Sequence, residues 1–292
     1  MVKNYYQLLR LSQWIKNLFV FVPLLFSLHL FEYDYFIKSF YAFVLFSFSS
    51  SLIYVFNDIV DVNSDAAHPV KKFRPLPSGR VKISTAWLIA SILLIIVIVA
   101  SLNLPMDFNY YLYGFIALNI IYSLIFKHIV ILDIFSIAAG FTIRVLAGAV
   151  IINVPVSSWL ILTTMFISLF LGVMKRHSEL VQMANVENHI TRKVLSDYST
   201  TFTNQMATVA AAGVIICYAL YTVSQRTVQV FETENLIFTT PFVVFGIFRF
   251  MYLEYQNQKG ENTTQIMLSD FQIIATVILY VLTTVLIVYK II

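Results

Sequence analysis

Residues Asn57 to Gly79 read NDIVDVNSDAAHPVKKFRPLPSG and lie between two long apolar stretches. Asn57, Asp61 and Asp65 recur every four residues, so on a helix they share one face, with Asp58 one step around it. Oxygen ligands on one face suit a hard divalent cation such as Mg²⁺, which often binds together with substrate phosphates. Lys71, Lys72, Arg74, Arg80 and Lys82 follow at once, a cluster suited to a phosphate-bearing ligand. The plainer alternative is a solvated basic loop that only fixes orientation in a membrane. It leaves the spaced aspartates unexplained.

The surrounding chain is a membrane protein by composition. Its 292 residues are 59% hydrophobic and 12% charged, against about 25% charged in a soluble domain. Runs of roughly 17 to 22 apolar residues are long enough to cross a bilayer as helices. They are continuously apolar, which argues against the alternating strands of a membrane barrel. The expected fold class is therefore all-α and polytopic, one transmembrane domain over 1–292. The single cysteine, Cys217, reads as a core residue, and the five histidines show no paired zinc-ligand spacing. The N-terminus has no short apolar stretch followed by a small-residue cleavage site, so it reads as a first helix and not a signal peptide. A net charge of +4 fits anionic membrane lipids and anionic substrates, and no nucleic-acid module is present.

About nine spans are expected, near 14–31, 38–56, 84–102, 109–126, 131–151, 157–174, 207–225, 237–253 and 271–289. With the N-terminus cytoplasmic, fifteen of the nineteen Lys and Arg fall on the cytoplasmic side. The positive-inside rule then sets the N-terminus in and the C-terminus out. The same orientation gathers the polar segments into a cap on that face. These are the aspartate stretch, a turn with Tyr122, Lys127 and Asp133, the MKRHSEL loop, and the loop EYQNQKGENTTQIMLSD. A site at the cytoplasmic membrane boundary follows, whereas a transporter would more often place its polar residues at the midplane. Arg144, some thirteen residues into the fifth span, either pairs with an aspartate or grips a substrate phosphate.

These residues resemble the UbiA superfamily of intramembrane prenyltransferases, an all-helical bundle of nine spans with a cytoplasmic polar cap. Asn57, Asp58, Asp61 and Asp65 are similar to its NDxxDxxxD signature, and Tyr122, Lys127 and Asp133 to a YxxxxKxxxxxD element. QWIKN, the whole Asn57–Gly79 run, DIFSIAAGFTIRVLAGAV, MKRHSEL, RKVLSDYST and LSD resemble one branch, the decaprenyl-phosphate phosphoribosyltransferases. Prenyl-diphosphate users carry a second aspartate-rich motif after span six. Here that loop offers Lys175, Arg176, His177 and Glu179, then Glu187 and Asp197, without DxxD or DxxxD.

The resemblance implies Mg²⁺-dependent transfer of phosphoribose from 5-phosphoribosyl 1-diphosphate to a polyprenyl phosphate, releasing diphosphate, for cell-envelope precursor synthesis at a bacterial plasma membrane. Asp58, Asp61 and Asp65 are then expected at metal and donor, with Asn57 a further metal ligand or orienting group. Lys71, Lys72 and Arg74 would hold donor phosphates, with Lys72 equally readable as a solvated charge. Tyr122 and Lys127 would contact a phosphate. Asp133 would orient Lys127, assist with metal, or simply cap span five. Lys16, Asn17, Lys175 and Arg176 are candidates for the lipid phosphate, with a snorkelling anchor the alternative for Lys16 and a structural pair with Glu179 the alternative for Arg176. Prenyl transfer to an aromatic or quinone-precursor acceptor, and a non-enzymatic lipid carrier, are the competing functions. The oligomeric state, a homo-oligomer included, is left open.

Overall fold

A computed structural model describes residues 2–68, 70–184, 195, 197–257 and 269–291, and every regular element among them is helical. In chain order these are α1 (Val2–Leu9), a 3-10 helix (Leu11–Phe21), α2 (Val22–Leu25), α3 (Tyr33–Val60), α4 (Val62–Ala66), a 3-10 turn (Lys71–Phe73), α5 (Ile83–Ser101) and α6 (Met106–Leu124). A second 3-10 turn (Phe126–His128) leads to α7 (Leu132–Ile151), α8 (Ser158–Ala184), α9 (Thr200–Val223), α10 (Gln225–Phe231), a third 3-10 turn (Asn235–Thr239), α11 (Thr240–Asn257) and α12 (Phe271–Val288). In lipid a helix is the one open element that satisfies all its backbone groups internally, so long apolar runs fold this way. Glu187, Arg192, Lys193 and most of the loop before Ser269 lie outside the described residues.

Among the described residues, seven helices are long and apolar enough to cross a membrane, and an eighth is formed if the segments Lys3–Leu9 and Leu11–Leu25, bent by 40°, are one span. Nine were expected, and two of the nine differ. The first is broken at Arg10, a non-glycine residue in the left-handed region at φ 49, and continues as eleven residues of 3-10 helix. The fourth, α6, has nineteen residues, but its four tyrosines, two asparagines and Asp107 keep its hydropathy below that of the others.

The central element is α7, which contributes to two cores. Its first half packs Ile134 and Ala138 against Phe170 and Met174 of α8, Val214 of α9 and Phe250 of α11. Its second half packs Ala147 and Ile151 against Val20 and Leu24, Phe46 of α3, and Phe108 and Phe115 of α6. Lipid tails are as apolar as these side chains, so association depends on close fit and not on water exclusion. Gly148 shows the fit: a Cβ there would stand 2.1 Å from the Val20 carbonyl oxygen. The last helix is capped by Asp270, whose carboxylate accepts from the Ile273 N–H at 2.9 Å and from Arg249 at 2.7 Å.

Candidate active site

The acidic stretch straddles a helix break. α3 stops at Val60, Asp61 caps it with φ −92 and ψ 6, and α4 restarts at Val62. The backbone ladder nevertheless continues, Asp61 N–H to the Asn57 carbonyl at 2.9 Å and Asp65 N–H to the Asp61 carbonyl at 2.8 Å. The side chains do not share the single face expected from their four-residue spacing. At 3.6 residues per turn, Asp58 and Asp65, seven apart, are offset by only roughly 20°, whereas Asn57 and Asp65, eight apart, drift by roughly 80°. Asp58 and Asp65 are buried and both engage Arg74. Asp61 turns elsewhere and accepts from Lys127 Nζ at 2.6 Å, while Asn57 faces a cavity.

Asp58 has a second partner that the sequence reading missed, Arg10, whose guanidinium also lies 4.8 Å over the Tyr54 ring. A lone arginine just ahead of the first apolar run is the available signal, and it reads equally as a topology marker.

Lys127 is buried on a tight turn between α6 and α7. The turn passes through Ile131 at φ 71, a costly conformation for a β-branched residue. Tyr198 holds it: its hydroxyl accepts the Ile131 N–H at 2.7 Å and donates to Asp133 at 2.8 Å. Burial pushes the Tyr198 phenol well above its ordinary pKa, which keeps that donor proton in place.

Asp133 also accepts from Arg176 Nε at 2.5 Å, and Arg176 reaches Glu179 and the Tyr122 hydroxyl, the latter at 3.1 Å. Both Asp133 and Arg176 are wholly inaccessible. Three expectations are thereby corrected. Asp133 neither orients Lys127, whose partner is Asp61, nor caps α7, whose N-cap position is Ile131. Arg176 is consumed by a buried network and does not reach the cavity. The i, i+3 contact of Arg176 with Glu179 forms as their spacing implies.

The cavity, about 240 Å³, opens beside the end of α3. Lys16, Arg144 and Lys175 line it together with Asn57, Asn119 and Tyr122, over apolar walls that include Phe19, Phe115 and Phe141. Among the described residues no carboxylate lines it. Three cations on its wall, over an apolar floor, suit an anionic group on a lipid chain. Arg144 does not pair with an aspartate: it donates to Asn17 Oδ1 at 2.7 Å and to the Gly140 carbonyl at 3.0 Å, 4.4 Å from the Phe115 centroid. Asn17 is fully buried and absent from the cavity wall, so it is not the direct ligand expected. Lys71 and Lys72 sit beyond the cavity on the basic 3-10 turn, Lys72 exposed with its ammonium 5.2 Å from the Phe73 ring.

No group of three His, Cys, Asp or Glu stands ready to hold a metal among the described residues. The donor set still fits a hard divalent cation. Asp58 and Asp65 converge on one guanidinium, so a positive centre already stands between two carboxylates where an oxygen-seeking ion would bind.

Comparison with known proteins places the chain in a family. The profile of the UbiA prenyltransferase family matches residues 20–271. The decaprenyl-phosphate phosphoribosyltransferase of Mycolicibacterium smegmatis is 36% identical over 229 residues, covering 77% of this chain and 72% of that protein. Its namesake from Mycobacterium tuberculosis is 32% identical over 217 residues, 73% and 72% of the two chains. Among solved structures, digeranylgeranylglyceryl phosphate synthase superposes with a TM-score of 0.66 over 99% of each chain at 21% identity. A UbiA homolog from Archaeoglobus fulgidus, bound to DMAPP and Mg²⁺, superposes at 0.69 over 99% of this chain and 100% of its own, at 15% identity. These last two speak to fold alone. The chain is a multi-pass membrane transferase and belongs to the UbiA prenyltransferase family.

Proposed function

We propose that this transferase moves 5-phosphoribose from 5-phosphoribosyl 1-diphosphate to a polyprenyl phosphate. The observation that carries the reading is the separation of charge: an acidic cluster bound by Arg10, Arg74 and Lys127 stands beside a cavity whose charged lining residues, among those described, are the cations Lys16, Arg144 and Lys175. One anionic substrate needs a metal, and the other needs only cations. The relatives named as decaprenyl-phosphate phosphoribosyltransferases support the same pair of substrates.

The ribose C1–O bond to diphosphate breaks as a phosphate oxygen of the lipid bonds to C1, and diphosphate leaves with its electron pair. Asp58, Asp61 and Asp65, with Asn57, would hold Mg²⁺, which supplies charge neutralisation on the leaving diphosphate. Arg74 and Lys127, now on the carboxylates, would turn to donor phosphates, joined by Lys71 and Lys72 from the basic loop. Tyr122 lies at the cavity wall to contact a phosphate. Lys16, Arg144 and Lys175 take the acceptor phosphate. That nucleophile is anionic at pH 7, so no general base is required.

We place the protein in a bacterial plasma membrane as one domain of nine spans. The bent N-terminal pair and α6 complete the count, and the N-terminus and site face the cytoplasm. The return of α6 supports this, because Lys127 at its end meets Asp61 at the end of α3.

Purified protein with Mg²⁺ should consume the sugar diphosphate only when a polyprenyl phosphate is present. Absence of a lipid-linked phosphoribose would refute the reading. A second reading, prenyl transfer from a prenyl diphosphate, is favoured by membership of a family described as prenyltransferases. Offering both donors side by side separates the two.

A further inference from the structure

We propose that Asn17 is a positioning residue that sets the Arg144 guanidinium for the acceptor's phosphate, an inference that rests on the cavity receiving the polyprenyl phosphate. Asn17 is fully buried, and three hydrogen bonds hold its amide. Oδ1 accepts from Arg144 Nε at 2.7 Å and from Ser50 Oγ at 3.2 Å, and Nδ2 donates to Ser47 Oγ at 3.1 Å. Two donors meeting one oxygen fix the orientation of the amide without ambiguity.

Arg144 is held from several sides. Nε is taken by Asn17 and Nη1 by the Gly140 carbonyl, while the Phe115 and Phe141 centroids lie 4.4 and 5.1 Å away. A guanidinium has five N–H donors, and Nη2 keeps no protein acceptor among the described residues. The open edge of a planar fork at the cavity wall is what bidentate phosphate binding requires.

The backbone explains why the 3-10 segment exists. Asn17 and Val20, three residues apart, meet Arg144 and Gly148 of α7, four residues apart. One 3-10 turn rises about 6 Å over three residues, and about 6 Å is also the rise of four α-helical residues. The two helices therefore stay in register over that step. The missing Cβ of Gly148 permits the approach that puts Asn17 within reach of Arg144.

Full-length protein in lipid nanodiscs, with 5-phosphoribosyl 1-diphosphate and a polyprenyl monophosphate, tests this. Asn17→Ala should raise KM for the lipid phosphate by about tenfold or more, the size expected for a lost hydrogen bond to a charged group. KM for the sugar diphosphate should stay within about twofold on the same basis, since that interaction is untouched. In an Arg144→Lys background, Asn17→Ala should add nothing further, because its effect runs through the guanidinium. An additive cycle, or equal rises in both KM values, overturns the proposal. Should Asn17→Ala fail to fold, Asn17→Asp retains the acceptor oxygen but adds a negative charge beside the site. It must weaken lipid-phosphate binding, and an unchanged affinity overturns the proposal. If wild-type protein makes no lipid-linked phosphoribose, the functional reading fails first. Direct binding of the polyprenyl monophosphate to wild type and Asn17→Ala then still decides on Asn17, with equal affinities overturning it.

Discussion

Arg176 and Asp133 are adjacent in space, wholly buried and mutually bonded, and their chemistry is decided by that burial. Removing one partner of such a pair strands the other charge, so Arg176→Ala should cost about 3–5 kcal/mol of stability. A loss of apparent melting temperature checks this. The double variant Arg176→Met with Asp133→Leu should recover most of it, since neither member of the buried pair is left charged and the partly exposed Glu179 can turn to water. A recovered protein that still turns over would confirm that neither group touches substrate. Nothing in MKRHSEL distinguishes Arg176 from Lys175 as a phosphate ligand. The distinction is made by helix azimuth, which turns Lys175 to the cavity and Arg176 into the α7 interface. The acidic stretch was more legible: its composition announces metal and phosphate chemistry, yet its pairing does not follow from the four-residue spacing. Asp61→Asn should lower turnover by at least about tenfold if the carboxylate serves metal and donor, with activity against Mg²⁺ concentration as the measurement. Unchanged turnover would remove Asp61 from the site.

Long helices were readable because an uninterrupted apolar run of the right length has few alternatives in lipid. The 3-10 form of Leu11–Phe21 was not, because its composition is that of an ordinary span. Only its partners betray it: Ser47, Ser50 and Ser51 on α3, bonded to Asn17 and Trp14, and Gly148 on α7. Gly148→Ala should drive that segment off α7, cost about 1–3 kcal/mol by overpacking, and depress lipid-phosphate affinity with it. Gly114→Ala, on α6 with open space around it, is the control and should change stability by no more than about 1 kcal/mol. At α12 the sign of a pH effect can be worked out. The bond from Arg249 holds the Asp270 carboxyl below its ordinary pKa. Its contribution is therefore present above the unfolded-state value, about 3.9, and is lost as pH falls through the lower folded value. Asp270→Ala should cost about 1 kcal/mol at neutral pH through the lost cap. That gap between variant and wild type in thermal unfolding should close as pH drops into the range below 4.

At the scale of the whole molecule, the number of spans decides on which side of the membrane each end stands. Among the described residues hydropathy credits seven helices, or eight with the bent pair, and leaves α6 aside. The sequence pattern counted α6 as an apolar run, and labelling from either side of the membrane tests that count. α5 leaves the end of the bundle where Asp61 lies, and Lys127 at the far end of α6 is back beside Asp61 at 2.6 Å. Two helices of nineteen residues each are about 28 Å long at 1.5 Å per residue, close to the apolar thickness of about 30 Å. Between Lys72 and Lys290 the chain then crosses seven times with α6 and six without. Both side chains are exposed, and the lone native cysteine, Cys217, is buried. Lys72→Cys and Lys290→Cys, each in a Cys217→Ala background, can be challenged with a membrane-impermeant maleimide. The charge bias and seven crossings together predict that Lys72→Cys reacts only in inverted vesicles and Lys290→Cys only in intact cells. Labelling of both from one side would make the crossing count even and take α6 out of the membrane. A reversed pattern would keep nine spans but turn the site outward, against the fifteen basic residues that favour the cytoplasm.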